Sequence, residues 1–231
     1  MSLYLVGRAT DSSLVIAADG RQLALLFGDV TIVDQEEIRK ISPLYKDIVL
    51  CQTGASLSGD RLQKIADELK KHSLEARIKS SYDILNILAK KYCSDESHPF
   101  ATGHLFTRYE GKPLVSKISF NSSSISRVDS PSEMTFPYRF QGISKFALDI
   151  LLENCLGGQE QFDRDYLKGF FIYMLNETEK LEYGVGGKKQ IGMIDENGFR
   201  FASDYELMQA DNLAEQNDLL PALKGRGFPC R

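Results

Sequence analysis

Apolar residues run together or alternate with polar ones in short stretches along most of this chain. In four windows the spacing widens to the three-and-four rhythm of a helix. Residues 2–9 (SLYLVGRA) and 14–18 (LVIAA) read as buried strands joined by a tight turn over 10–13 (TDSS). A looser segment follows through Gly28 and Asp29, and then residues 38–42 (IRKIS) and 48–52 (IVLCQ) pair as a hairpin about Pro43. From Asp60 onward Leu62, Ile65, Ala66 and Leu69 share one helical face, with Lys70 and Lys71 late, where the helix dipole favours cations. A second helix starts near Ser81, with Ile84, Leu85, Leu88 and Tyr92 on its stripe, and Pro99 closes that region.

Strand patterns return at residues 101–109, 114–120, 124–128 and 138–140. The third helical window covers 144–156 and ends at Gly157 and Gly158, a usual C-terminal pair. The fourth covers about 162–180, where Tyr166, Phe170, Tyr173 and Met174 form a core stripe. Residues 190–195 and 199–202, around a turn at 196–198, read as a last hairpin, and the residues beyond Tyr205 as a polar surface tail.

Strands this numerous, joined mainly by hairpins, favour antiparallel sheets over parallel crossover units. Two such sheets face to face, with a helix pair on each outer face, would bury every stripe named above. The expected fold is therefore α+β, a four-layer αββα sandwich in one domain over 1–231, with a tail from about 205. With 231 residues the chain is long enough to bury a core without staples.

Composition removes several classes of function. The net charge of −4, without a dense Lys/Arg run, gives no footprint for nucleic acid. No apolar run approaches the length needed to span a bilayer. The four cysteines, Cys51, Cys93, Cys155 and Cys230, are far apart, and with His72, His98 and His104 they make no zinc-ligand pattern. No leader pattern is visible, so reduced thiols and a cytoplasmic location are expected, with no metal and no cofactor. There is no P-loop and no GxSxG, and residues 184–187 (GVGG) lack the order of a dinucleotide fingerprint.

What remains is a scattered set: Ser2, Asp19, Arg21, Lys40 and Gly54. In order these fall at the chain start, in LVIAADGR (14–21), in RKI (39–41) and in TG (53–54) before a helix. That succession resembles the proteasome β-subunits and their bacterial HslV-type relatives, which are N-terminal nucleophile hydrolases. The resemblance spans roughly 2–202 and is sharpest in the first sixty residues.

It implies that Ser2, exposed by removal of Met1, is the nucleophile, with its own α-amine as general base. An α-amine titrates near 7.7–8.0, so part of it is neutral at physiological pH. Asp19 resembles the aspartate that fixes the family lysine. Lys40 resembles that lysine, whose charge would lower the hydroxyl's pKa. Gly54 matches the glycine whose N–H faces the oxyanion, and Arg21 falls in the supporting set. Later in the chain Gln141 stands where the family has a serine, Glu182 where it has an aspartate, and Val185 where it has a serine hydroxyl.

The implied activity is a hydrolase of the threonine/serine-type endopeptidase kind, a protease acting on peptide or protein in a homo-oligomeric ring. Whether an ATP-dependent unfoldase feeds the ring is left open. A catalytically inactive ring or scaffold subunit and an amidohydrolase for small amides are the alternatives. The inactive α-type members carry an N-terminal helical extension that no pattern here matches.

Overall fold

A computed structural model describes residues 3–26, 30–54, 59–93, 101–121, 124–134, 138–141 and 162–215. Its first hairpin is built from strands with no polar interior positions. β1 (Tyr4–Arg8) and β2 (Leu14–Ala18) pair antiparallel, Tyr4 opposite Ala18 and Arg8 opposite Leu14. Successive side chains of a strand point to opposite faces, and here both faces are covered. Leu3, Leu5, Val15 and Ala17 join one apolar cluster, whereas Tyr4, Val6, Leu14, Ile16 and Ala18 join another.

After the first hairpin come β3 (Gln22–Leu26), β4 (Val30–Gln35), β5 (Ile41–Tyr45) and β6 (Ile48–Gly54). The helices α1 (Gly59–Glu75) and α2 (Ser81–Tyr92) follow. Next are β7 (Ala101–Tyr109), β8 (Lys112–Phe120), β9 (Ile125–Val128), β10 (Ser132–Glu133) and β11 (Tyr138–Gln141). The described chain ends with α3 (Arg164–Leu181), β12 (Gln190–Asp195), β13 (Gly198–Phe201) and α4 (Asp204–Glu215). The class is α+β, with four helices among the described residues and every ladder antiparallel.

One sheet has the order β11-β1-β2-β12-β13, and a second has β10-β8-β7-β6-β5 with β9 on β8. Among the described residues β3 and β4 pair with each other alone. Ile65, Leu69, Ile84, Leu85 and Leu88 of α1 and α2 pack on Ile48, Leu50, Leu105 and Ile118 of the second sheet. Phe170, Phe171 and Met174 of α3 pack with Leu5, Val15 and Met193 of the first. Between these, Tyr4, Val6 and Ile16 share a cluster with Val49, Cys51 and Phe106. Within it the Tyr4 hydroxyl hydrogen-bonds His104 Nδ1 across the two sheets.

Three expectations are corrected. The segment read as loose up to Asp29 is in large part the β3–β4 ladder, where Val30 to Val33 supply β-branched propensity. β5 starts at Ile41 rather than at 38, because residues 38 and 40 send their N–H groups elsewhere, as shown below. Finally, residues 204–215 are a helix, not a tail. Ser203 and Glu206 form a capping box: the Ser203 hydroxyl accepts from the Glu206 N–H, and the Glu206 carboxylate accepts from the Ser203 N–H. Its buried positions are Ala210 and Ala214 alone, with Leu207 partly buried on the same core, a short stripe among polar residues. Gly169 lets this helix close on α3, since a Cβ there would lie 2.9 Å from Leu213 Cβ. The helix expected over 144–156, with Gly157, Gly158 and Cys155, lies outside the described residues, as do Cys230 and the remainder of the tail.

Candidate functional site

The site grows from the point where β2 stops. Asp19 follows the last paired residue of the strand and is fully buried. Its Oδ1 accepts the Leu3 N–H at 2.7 Å, and the Asp19 N–H donates to the Leu3 carbonyl at 3.2 Å. Its Oδ2 accepts the N–H groups of Arg21 and Gly186, each at 3.3 Å. Lys40 Nζ lies 2.7 Å from the same oxygen and also donates to the Arg21 carbonyl at 2.7 Å. Lys40 is only 4% exposed, so this is a buried ion pair.

Burial dominates the titration of both partners. It pushes the Asp19 carboxyl above the usual carboxylate range, against the pull of Lys40 and the two strongest N–H donors. It pushes the Lys40 ammonium below the usual lysine value, helped by the charge of Arg21 and opposed by Asp19. Each partner's charge opposes the effect of burial on the other. Of the three Lys40 N–H donors, two have acceptors among the described residues.

Lys40 is held at its other end too. The chain from 36 to 40 runs beside residues 186–190 before it enters β5. The Lys188 N–H donates to the Glu36 carbonyl at 2.7 Å, and the Ile38 N–H to the Gly20 carbonyl at 2.8 Å. From there the Gln190 side chain takes over. Its Oε1 accepts the Lys40 N–H at 3.1 Å, and its Nε2 donates to the Ile38 carbonyl.

Arg21 shapes the loop that supplies the Gly186 donor. Its guanidinium donates to the carbonyls of Tyr183 and Val185 at 3.0 Å each, and it pairs with Glu36 and Glu179 at 3.1 Å. The loop makes tight turns there: Gly187 has φ +74°, and a Cβ on it would fall 2.4 Å from the Glu36 carbonyl oxygen. Only glycine suits that position.

The other expected site residues separate as follows. Ser2 lies outside the described residues; Leu3, bonded to it, is the residue that Asp19 holds. Gly54 ends β6 opposite Ala101. Since Ile41 pairs with Cys51, β6 reaches Gly54 at the end of its ladder where residues 38–40 arrive. Gln141 ends β11 opposite Tyr4, beside the start of β1. Glu182 caps the C-terminus of α3: its N–H donates to Thr178 and its carbonyl accepts from Val185. Among the described contacts it acts through its backbone and not its carboxylate. Val185 turns its side chain into the core, and the next residue, Gly186, presents a backbone N–H to Asp19.

Gln190 and Gly186 were not foreseen from sequence. A backbone donor has no residue-type signature, and a glutamine at a strand start is unremarkable until its partners 150 residues away are seen.

Among the described residues no group of three or more His, Cys, Asp or Glu is arranged to hold a metal ion. No described helix is long and apolar enough to cross a membrane. Compared with protein-family models and with curated proteins, the chain matches none.

Proposed function

We propose that the chain is a hydrolase of the N-terminal nucleophile type, in a four-layer αββα sandwich, acting on peptide bonds through Ser2 once Met1 is removed. The observation that carries this is the buried Lys40–Asp19 pair, with Asp19 also holding the N–H of Leu3, the residue bonded to Ser2. A buried ion pair is weak as a source of stability. Its place at the start of the chain accords with a catalytic use. The apolar cluster shared by β1, β2, β6 and β7, with helices packed on other clusters of the same sheets, supports the layered fold.

In the proposed reaction the Ser2 hydroxyl oxygen attacks the carbonyl carbon of the scissile amide, and its proton passes to the Ser2 α-amine. The Lys40 ammonium stabilises the attacking oxygen by its charge, and the Gly54 N–H receives the oxyanion. Collapse expels the substrate amine, which takes the proton from the α-amine. Water then attacks the acyl-enzyme ester while the α-amine accepts its proton, and that proton passes to the Ser2 oxygen as the C–O bond breaks and the acid product leaves. Asp19 and the Arg21-braced loop keep Lys40 in place. The proposed substrate is peptide or protein, and the proposed assembly a homo-oligomeric ring in the cytoplasm.

One observation favours the alternative, a catalytically inactive scaffold subunit. Where the resemblance calls for a serine hydroxyl, Val185 sits in the core. Intact mass and electrophile capture decide between the two. Loss of Met1 and one covalent adduct on Ser2 from a β-lactone or vinyl sulfone are expected. Protein that keeps Met1 and takes no adduct rules out the hydrolase and leaves the scaffold.

A further inference from the structure

We infer that Gln190 is a positioning residue for Lys40, its side-chain amide standing in for a missing β-strand partner; the catalytic consequence rests on the role of Lys40 proposed above. The residues before β5 have no ladder. Up to Ile38 the 36–40 segment finds backbone partners, in Lys188 and Gly20. Beyond it β12 is committed to β2, with Gln190 itself opposite Ala18. At Ile38 and Lys40 the bonds come from the Gln190 side chain and not from a backbone group of β12.

A primary amide carries a carbonyl acceptor and N–H donors, the same kinds of group that a peptide unit offers. Gln190 uses both kinds, bonding the Lys40 N–H and the Ile38 carbonyl on either side of Arg39. This fixes the main chain from which the Lys40 side chain departs. The far end of that side chain is fixed by Asp19 and the Arg21 carbonyl. The ammonium is thus set from two ends, by Asp19 and the Arg21 carbonyl just after β2 and, through the main chain, by Gln190 of β12. Arg39, between the two bonded residues, is turned instead to Phe201, with its guanidinium carbon 5.2 Å from the ring centroid. Neither leucine nor asparagine reproduces the arrangement: leucine has no polar group, and asparagine is one methylene short.

The test uses the full chain and follows β-lactone capture of Ser2 against reagent concentration, giving a maximal rate kinact and a half-saturating concentration KI. Q190L is expected to lower kinact by roughly ten- to a hundredfold, the cost of a small misplacement of a reacting group. KI should stay within about twofold, because ground-state binding is untouched. Q190E keeps the acceptor for the Lys40 N–H and should fall between. Folded Q190L with wild-type kinact overturns the inference.

A second measurement does not depend on Ser2. The Lys40 Nζ resonance, assigned with K40R, is followed by lysine-selective NMR, and Q190L is expected to move both its position and its titration midpoint. An unmoved resonance overturns the inference. If wild-type protein takes no adduct, the hydrolase proposal fails while this measurement still decides on Gln190. If Q190L does not fold, Q190E carries both measurements, and wild-type kinact with an unmoved Lys40 resonance overturns the inference.

Discussion

Two acid–base clusters in this protein use similar contacts and have opposite electrostatic character. At the start of β1 and β5, Asp19 and Lys40 meet at 2.7 Å in the interior. Between α1 and α2, Glu68 bonds Lys91, His72 and Tyr92, with 23% of its side chain open to solvent. The Glu68 carboxyl is lowered to about 2, chiefly by the Lys91 hydrogen bond. Burial raises that of Asp19. Contact geometry is therefore not what sets the sign. Water is: the helix cluster keeps enough of it to make its ions cheap, and the buried pair has lost it. The helix cluster ties α1 to α2, and the buried pair places an acid and a base in the interior, where folding alone would not choose them.

The sharpest way to break this comparison is K40M. It leaves the Asp19 carboxyl buried without its cation and should cost about 3–5 kcal/mol in urea unfolding. A loss under about 1 kcal/mol would mean that the backbone N–H groups alone satisfy Asp19. Next in size, R21A should cost about 1–3 kcal/mol, because the Tyr183 and Val185 carbonyls lose their donors. Hydrogen exchange at the Gly186 amide should speed up in that variant, and unchanged protection would separate Arg21 from the Asp19 shell.

For the helix cluster, E68Q should cost only about 1 kcal/mol at neutral pH. The folded value of Glu68 lies below its ordinary 4.5, so its contribution is present above about pH 4.5 and disappears as the pH falls towards 2. The stability gap between wild type and E68Q should close over that window. A gap that stays constant from pH 7 to pH 3 would remove Glu68 from the comparison. The smallest effect is that of salt. In about 1 M salt, where screening acts over about 3 Å, the E68Q cost should fall by roughly half while the K40M cost holds.

Much of this architecture was readable from residue pattern. The first hairpin, β7 and β12 fall within a residue or two of their periodic runs, because buried strands leave little polar interruption. The stripes of α1 and α2 put Ile65, Leu69, Ile84, Leu85 and Leu88 into one core as spaced. Of the site, Asp19 and Lys40 do meet, although the 20 residues between them include another hairpin. What was not readable has a common cause. Gln190 and Gly186 work through contacts with the main chain, which any side-chain pattern leaves blank. The helix after Ser203 has only a short stripe of Leu207, Ala210 and Ala214 among polar residues, and its clearest signal was the capping box.

The strand order of the first sheet also has a consequence during synthesis. β1 lies inside its sheet, between β2 and β11, and β2 lies between β1 and β12. The first hairpin leaves the ribosome before its sheet partners, apolar on both faces and with both edges unpaired. Its partners are residues 138–141 on one side and 190–195 on the other. At cellular elongation rates the second gap amounts to roughly 10–30 s. For that interval the growing chain carries a sticky, open-edged ribbon. Its yield in cells should therefore follow the supply of chaperones that shield nascent chains more closely than the stability of the finished fold.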